Sequence, residues 1–372
     1  MSTIVNVLDD LTGIADRFKP AGEITQINEY GNGNVNDTFL VSLSSGEENK
    51  FVLQRINRRV FRQPELIVLN IRTLANHVQE RLQQDSMSPG RRWEMPRLLS
   101  TRDGQYLCID HEGSFWRAMS FIESARSYEV IADSEQAREV GSALGIFQHL
   151  ISDLPADRLA DTLEGFHITP RYLEQYNQLI ASRRPPQSAE VRYCQTFIGE
   201  RSECVHVLET AKTEGKLPLR PIHGDPKINN VLLDEITREA ISLVDLDTVK
   251  PGLVQYDIGD CLRSGCNPLG EETQEWETVR FELDLCRAIL QGYLAYANKF
   301  LTEHDYEYIY DSIRLIAFEL GLRFFTDYLQ GNNYFKATHR EHNLARALVQ
   351  FKLTASIESQ AAGIRLMVRE MR

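Results

Sequence analysis

The sequence predicts an α+β chain of two lobes, a small β-rich N-terminal lobe over 1–122 and a larger, mainly helical C-terminal lobe over 123–372. Three observations lead there. Strand-and-turn segments crowd residues 20–122, long helical patterns fill the chain beyond 133, and an acid-rich hairpin, "HGDPKINNVLL" to "SLVDLD" (223–247), interrupts the helices. A length of 372 residues exceeds a typical single domain and suits two units sharing a cleft.

Residues 3–18 read as a short amphipathic helix ended by Lys19-Pro20-Ala21-Gly22. "ITQINEY" (24–30), "DTFLVSL" (37–43) and "KFVLQRI" (50–56) are β-rich and separated by the turn signals "GNGNVN" and "SSGEEN", which makes an antiparallel meander. "PELIVLNIRTLANHVQERLQ" (64–83) spaces Leu66, Ile67, Leu69, Ile71, Leu74 and Val78 at helical intervals behind Pro64, a helix to pack on that sheet. "WEMPRLLST", "GQYLCID" and "SFWRAMSFIE" read as further strands, with the lobes joined near 120–124. Beyond them, 133–154 is a helix capped by Asp133 or Ser134, and 170–182 and 188–214 continue helical around the loop "SRRPPQS". Residues 272–302, 305–329 and 340–370 are long helical patterns.

A formal net charge of −12 disfavours nucleic acid and anionic membranes as partners, while leaving room for a local basic pocket. The six cysteines show neither a CxxC pair nor zinc-ligand spacing, and read as reduced thiols of a cytoplasmic protein. No stretch has the apolar length of a membrane span, and the N-terminus has no signal-peptide core. The expected partner is a small molecule, bound by a monomer or homodimer.

The hairpin carries the chemistry. Phosphoryl transfer needs a carboxylate near the attacking hydroxyl and oxygen ligands for Mg²⁺. Asp225 can orient the hydroxyl and accept its proton, Asn230 offers a neutral metal ligand, and Asp245 a charged one. Lys227 can neutralise the transferring phosphoryl. This spacing matches the protein-kinase template H-x-D-x-x-x-x-N followed by a metal-binding Asp, and so a protein-kinase-like bilobal fold. The plainer reading, a hairpin of solvated acids, does not account for the joint pattern. His223 is expected to hold the loop and Asp257 to brace it, while Asp247 is open between supporting, sugar-binding and structural roles. Gly31 and Gly33 suit close approach of backbone to phosphates, with Thr38 on the strand behind them. Residues 116–123 form the hinge, where Met119 and Phe121 would contact the base of ATP.

"HGDPKINNVLL" and "SLVDLDTVKPGLVQYDIGD" resemble the aminoglycoside phosphotransferase and choline kinase-like superfamily. More narrowly, "DLDTVKPGLVQYDIGDCLR" and "RFFTDYLQGNNYFK" resemble bacterial N-acetylhexosamine 1-kinases, as do "FIESARSYE" and "GFHITPRYLE". The resemblance implies an ATP- and Mg²⁺-dependent sugar 1-kinase. It implies Arg323 and Tyr334 as acceptor contacts beside Asp225. Asn34 stands where these kinases tend to carry a sugar-facing His, which leaves the exact sugar open. On the third strand alternation lets only one of Gln54 and Arg55 face the cleft, and the resemblance favours Arg55 as the phosphate-facing residue. Near the place of the usual helix glutamate stand Asn70 and Glu65, so the Lys–Glu pair is altered. Rival readings are another acceptor (an aminoglycoside, choline or other metabolite), a nucleotide-binding pseudokinase, and a metal-dependent phosphoesterase.

Overall fold

The computed structural model describes residues 11–18, 22–31, 33, 35–46, 49–84, 90–182 and 184–372. Of the helix expected over 3–18, residues 11–15 are helical and Asp16–Phe18 form a 3-10 turn; the remainder lies outside the described residues.

The N-terminal sheet is built by β1 (Ile24–Glu29), β2 (Asp37–Leu43), β3 (Lys50–Ile56), the two-residue β4 (Leu98–Leu99) and β5 (Cys108–Ile109), and β6 (Phe115–Ser120). Its antiparallel order is β1–β2–β3–β6–β4, with β5 also on β6. Of the three later stretches read as strands, only the last forms a full one. Pro96 lacks an amide for a ladder, and Asp110 turns the chain by accepting from the amides of Glu112 and Ser114. One sheet face packs Val41, Phe51, Leu53, Trp116 and Ala118 against Ile14, Ala15 and Phe18.

Helix α1 (Pro64–Gln84) corrects an expectation. Its buried Ile67, Ile71, Leu74 and Val78 join Val140, Leu144 and Phe147 in the C-terminal core rather than the sheet's own cluster. Asn70 locks it there, donating to the carbonyls of Ala160 and Val249, both at 2.8 Å, and accepting from the Ala160 amide at 2.9 Å.

Past residues 121–124, β7 (Ala125–Arg126), β8 (Arg220–Ile222), β9 (Val231–Asp234), β10 (Ala240–Leu243) and β11 (Lys250–Gly252) make two small sheets, ordered β10–β9–β7 and β11–β8. Around them lie α2 (Ser134–Ile151), α3 (Thr169–Ser182), α4 (Ala189–Gly199), α5 (Val207–Thr213), α6 (Val254–Gly265), α7 (Leu283–Ala297), α8 (Glu303–Glu307), α9 (Ile309–Gln330), α10 (His342–Ser359) and α11 (Ala361–Glu370). Asp133 caps α2, its carboxylate accepting from the Gln136 amide at 2.8 Å. The stretches read as single helices over 188–214, 272–302 and 340–370 are each broken. At the break in 340–370 the Gln360 side chain donates to the Ser356 carbonyl at 3.2 Å, a ladder acceptor, and to the Phe281 carbonyl at 2.8 Å; at the end of 272–302, Thr302 and Asp305 form the capping box that starts α8.

Helices α2 and α7 cross backbone to backbone at glycines. A Cβ on Gly292 would stand 1.9 Å from the Arg138 carbonyl oxygen, and one on Gly141 1.9 Å from that of Ile289. Neither neighbour can yield without moving a helix. Gly292→Ala is therefore expected to destabilise the fold by about 1–3 kcal/mol, read as a lower urea midpoint at unchanged slope; an unshifted midpoint would contradict this packing.

Candidate active site

Strand β8 delivers His223-Gly224-Asp225 into the cleft. Gly224 has a φ of +88°, and a Cβ there would lie 2.7 Å from the Thr248 carbonyl oxygen, so only glycine fits this turn. The Asp257 carboxylate, at the start of α6, takes the amides of His223 (2.9 Å) and Gly224 (2.8 Å) and the Gln148 side chain (2.9 Å). His223 is buried and faces the Val244 carbonyl through Nε2 at 3.0 Å, and burial lowers its pKa.

The β9–β10 hairpin brings Asn230 and Asp245 to one end, because Leu243 pairs with Val231 and the Val244 amide donates to the Asn230 carbonyl at 2.8 Å. The Asn230 side-chain nitrogen donates to the Asp225 carbonyl at 2.7 Å and to its carboxylate at 3.3 Å. That leaves the Asn230 side-chain oxygen as the atom free for a cation. Lys227 pairs with the Asp225 carboxylate at 3.1 Å. Burial pushes Asp225 upward, but Lys227 more than offsets it and holds the acid below its usual value. Asp245 goes the other way, pushed up to about 7 by burial and by the charges of Asp247 and Asp225. It also sits in the left-handed region, with φ 64° and ψ 60°, a conformation that persists only where surroundings enforce it. A crowded carboxylate beside a free amide oxygen is a donor set suited to Mg²⁺ shared with phosphate oxygens and water. Among the described residues no group of three or more His, Cys, Asp and Glu side chains could hold a metal alone.

Strand register settles Gln54 against Arg55. Thr38, Gln54 and Arg117 lie opposite one another on β2, β3 and β6, facing the cleft side. Gln54 donates to Thr38 Oγ1 at 3.0 Å and accepts from Arg117 at 2.7 and 3.1 Å; Arg117 then pairs with Asp247. Asp247 also takes the Asn36 side chain at 2.7 Å. Arg117 and Asp247 are both buried. The next row, Asp37, Arg55 and Trp116, faces the opposite side, where Arg55 bonds Asp37 at 2.7 and 3.0 Å and lies over the Trp116 ring. The expectation of Arg55 facing the phosphates is thus corrected: period-two alternation points it away.

One cavity of about 340 Å³ connects all this. Its apolar end is lined by Val52, Met119, Phe121, Ile122, Leu232 and Val244, and Gly31, Gly33 and Thr38 border it. Asp225, Lys227, Asn230, Asp245 and Asp247 stand at its middle. The far end is an aromatic cluster on α9 and the loops beside it. The Arg323 guanidinium lies 5.0–5.7 Å from the ring centres of Phe166, Tyr172, Phe335 and Tyr334, with no hydrogen-bond partner among the described residues. Asn34 lies outside the described residues.

The sequence reading missed four residues here: Arg117, His167, Asp260 and Glu319. Asp260 lines the cavity, gives one oxygen to Arg263 at 2.6 Å, and leaves its other oxygen unpartnered. His167 faces Glu319 Oε1 at 2.9 Å with Nδ1 and the Gly224 carbonyl at 2.6 Å with Nε2. Thr169 donates to Glu319 Oε2 at 2.7 Å. Two acceptors for two ring nitrogens favour an imidazolium. Burial opposes that charge, but the Glu319 carboxylate prevails and raises the His167 pKa.

A two-lobed α+β fold with this acid, amide and acid around an interlobe cleft has the form of a kinase-like phosphotransferase. Residues 26–294 match the model of the phosphotransferase enzyme family, and the chain belongs to that family. Similar solved structures include a microcompartment-associated aminopropanol kinase (16% identity, TM-score 0.63, covering 95% of this chain and 98% of that one). Another is choline kinase from Cryptosporidium parvum Iowa II (13%, 0.62, 98% and 99%). A third is an amicoumacin kinase in complex with AMP-PNP, Ca²⁺ and Ami (14%, 0.58, 100% and 96%). At such identities the likeness shows the kinase-like fold and leaves the acceptor to the site itself. No helix among the described residues is long and apolar enough to cross a membrane.

The His167–Glu319 pair makes a pH prediction. Because the folded-state pKa of His167 is raised, the stability it contributes is present at low pH and lost as pH rises through that value. Ring ¹⁵N shifts should show two protonated nitrogens near pH 7. The stability difference between the wild type and His167→Gln should shrink as pH rises above the ordinary histidine value of about 6.5. A neutral ring at pH 7 would refute the assignment.

Proposed function

We propose that this chain is an ATP- and Mg²⁺-dependent kinase that phosphorylates the anomeric 1-hydroxyl of an N-acetylhexosamine or closely related hexose. The observation that carries the acceptor reading is Arg323. The aromatic surround in which a cationic acceptor would seat its ammonium already holds the protein's own unpartnered guanidinium. A second cation beside it is repelled, which disfavours choline and aminoglycosides. A neutral acyl or hydroxyl oxygen meets a fork of free donors, and Phe166, Tyr334 and Phe335, which line the cavity, offer faces to a sugar ring. The unpartnered Asp260 oxygen suits a sugar hydroxyl.

In this reading the adenine lies between Val52, Met119, Phe121 and Leu232, with the phosphates under Gly31, Gly33 and Thr38. Asn230 and Asp245 would hold Mg²⁺, which when bound would supply positive charge to offset that of the phosphates. Asp225, kept ionised by Lys227, orients the acceptor hydroxyl along the line of transfer and takes its proton as the O–P bond forms. ADP leaves with the electron pair of the broken bond. An ionised Asp225 is a weak base, which suffices because the transition state is loose and a hemiacetal hydroxyl is more acidic than an ordinary alcohol. Lys227 is placed to follow charge from Asp225 onto the moving phosphoryl. Positioning supplies most of the rate. The Thr38–Gln54–Arg117–Asp247 row takes over the ordering role of the missing Lys–Glu pair, which argues against a pseudokinase. The apolar slot for a base argues against a phosphoesterase.

The test is an ATP-consumption screen over N-acetylhexosamines, hexoses, aminoglycosides and choline, with ³¹P NMR of the product. A sugar 1-phosphate doublet is expected, and turnover with choline or aminoglycosides alone would sink the sugar reading. Asp225→Ala should lower kcat by about 10²–10⁴-fold while AMP-PNP binding persists. Arg323→Met should raise the acceptor KM by about 10-fold or more at unchanged nucleotide affinity.

A further inference from the structure

The loop that follows α9 crosses the cleft at one side chain. The Lys336 ammonium lies 3.2 Å from the Gly33 carbonyl, 3.4 Å from that of Asn36 and 3.5 Å from the Asp37 carboxylate. Three acceptors of the glycine turn, on the N-terminal lobe, therefore converge on one cation of the C-terminal lobe. The other oxygen of the same Asp37 carboxylate already takes Arg55.

The loop behind Lys336 is held by hydrogen bonds on both flanks. Gly331 and Asn332 take left-handed conformations, φ 98° and 59°, to end the helix. The buried Asp327 carboxylate then accepts the consecutive amides of Asn333 (2.9 Å), Tyr334 (2.8 Å) and Phe335 (3.0 Å), and the Asn343 side chain at 3.0 Å. On the other flank the buried Arg346 donates to the Lys336 carbonyl at 2.9 Å and is itself held by Glu272 at 2.8 Å. The main chain of 333–336 is thus clamped at both ends. Tyr334 and Phe335 lie against Arg323, and Lys336 reaches the turn.

We infer that Lys336 is a positioning residue that couples the two ends of the cleft, so that ordering the glycine turn over phosphates steadies the Tyr334–Phe335 wall of the acceptor pocket, and the reverse. This rests on the proposed placement of nucleotide and acceptor. The reason is mechanical. Asn36 is gripped twice from the C-terminal lobe, by Asp247 on its side chain and Lys336 on its carbonyl, so the turn cannot shift without pulling the loop. A loop so held passes that displacement on, where a slack one would absorb it. Coupling between two sites is reciprocal, so each ligand raises affinity for the other. A single exposed lysine carries a modest share, about fivefold, at the low end of such couplings.

Hydrogen exchange of the full chain with AMP-PNP and Mg²⁺ reads this without needing the acceptor. The bonded amides of Asn333, Tyr334 and Phe335 are the reporters, and the 119–124 hinge is the control for nucleotide binding itself. Nucleotide should slow exchange in 331–341 by about fivefold in the wild type and in Lys336→Arg, and leave it unchanged in Lys336→Met. The hinge should be protected in all three. A loop whose exchange ignores nucleotide in the wild type, or responds equally in Lys336→Met, overturns the coupling while leaving the nucleotide site standing. Absence of hinge protection would instead remove the nucleotide placement, and the inference with it.

Discussion

The buried pair of Arg117 and Asp247 is the interaction on which the rest of the cleft depends. Taking two charges out of water is costly, and their attraction offsets this only when the remaining donors and acceptors are satisfied. Here Gln54 accepts from two Arg117 donors and Asn36 binds the second Asp247 oxygen, while Nη1 of Arg117 stays buried without a hydrogen-bond partner, so part of the cost is not offset. Removing one partner strands the other charge, a loss of about 3–5 kcal/mol in buried pairs generally. The geometry matters more than the energy. Arg117 stands on β6, whose far end becomes the hinge, and Asp247 is two residues past Asp245. One bond therefore fixes the turn that carries Asp245 relative to the N-terminal sheet.

Charge is distributed around that bond so that two similar acids differ in behaviour. Asp225 lies beside Lys227 and stays ionised, while Asp245 crowds against Asp225 and Asp247 and is raised to about 7. Environments that push two carboxylates apart are what divided roles require. The first suits a hydroxyl, whose proton it can receive late; the second suits a cation, which relieves the repulsion that raised it. Asp257 takes no part in this exchange. Its two oxygens hold the backbone of His223 and Gly224, so its contribution is the shape of the loop.

The parts legible in the sequence were those with local pattern. Turn signals gave the meander, helical spacing gave most helices, and the H-x-D-x-x-x-x-N spacing with Asp245 gathered the three central residues into one cavity. What stayed hidden depends on distant partners. Arg117 and Asp247 are 130 positions apart, and His167 and Glu319 are 152 apart, so no window over the chain joins them. Gln54 and Arg55 show the limit of periodicity: alternation says that one faces inward and needs register with β6 to say which. Helix α1 shows a second limit, since an apolar stripe does not name the surface it covers. Asp247 was ambiguous for the same reason, and its partner defines it.

Solved structures named for aminopropanol, choline and amicoumacin kinases share this fold with the chain at 13–16% identity, so the fold alone does not name an acceptor. Glu319 and Arg323 stand four residues apart on α9, and therefore on one face of the helix. Glu319 holds His167, which holds the Gly224 carbonyl next to Asp225. Arg323 faces the aromatic pocket. A single helix thus supports the loop that carries Asp225 and sets the charge at the aromatic part of the cavity. Exchanging the residue at 323 alters the pocket and leaves the Glu319–His167 support untouched. Selectivity can change by side-chain replacement on a surface whose backbone the catalytic loop has already fixed.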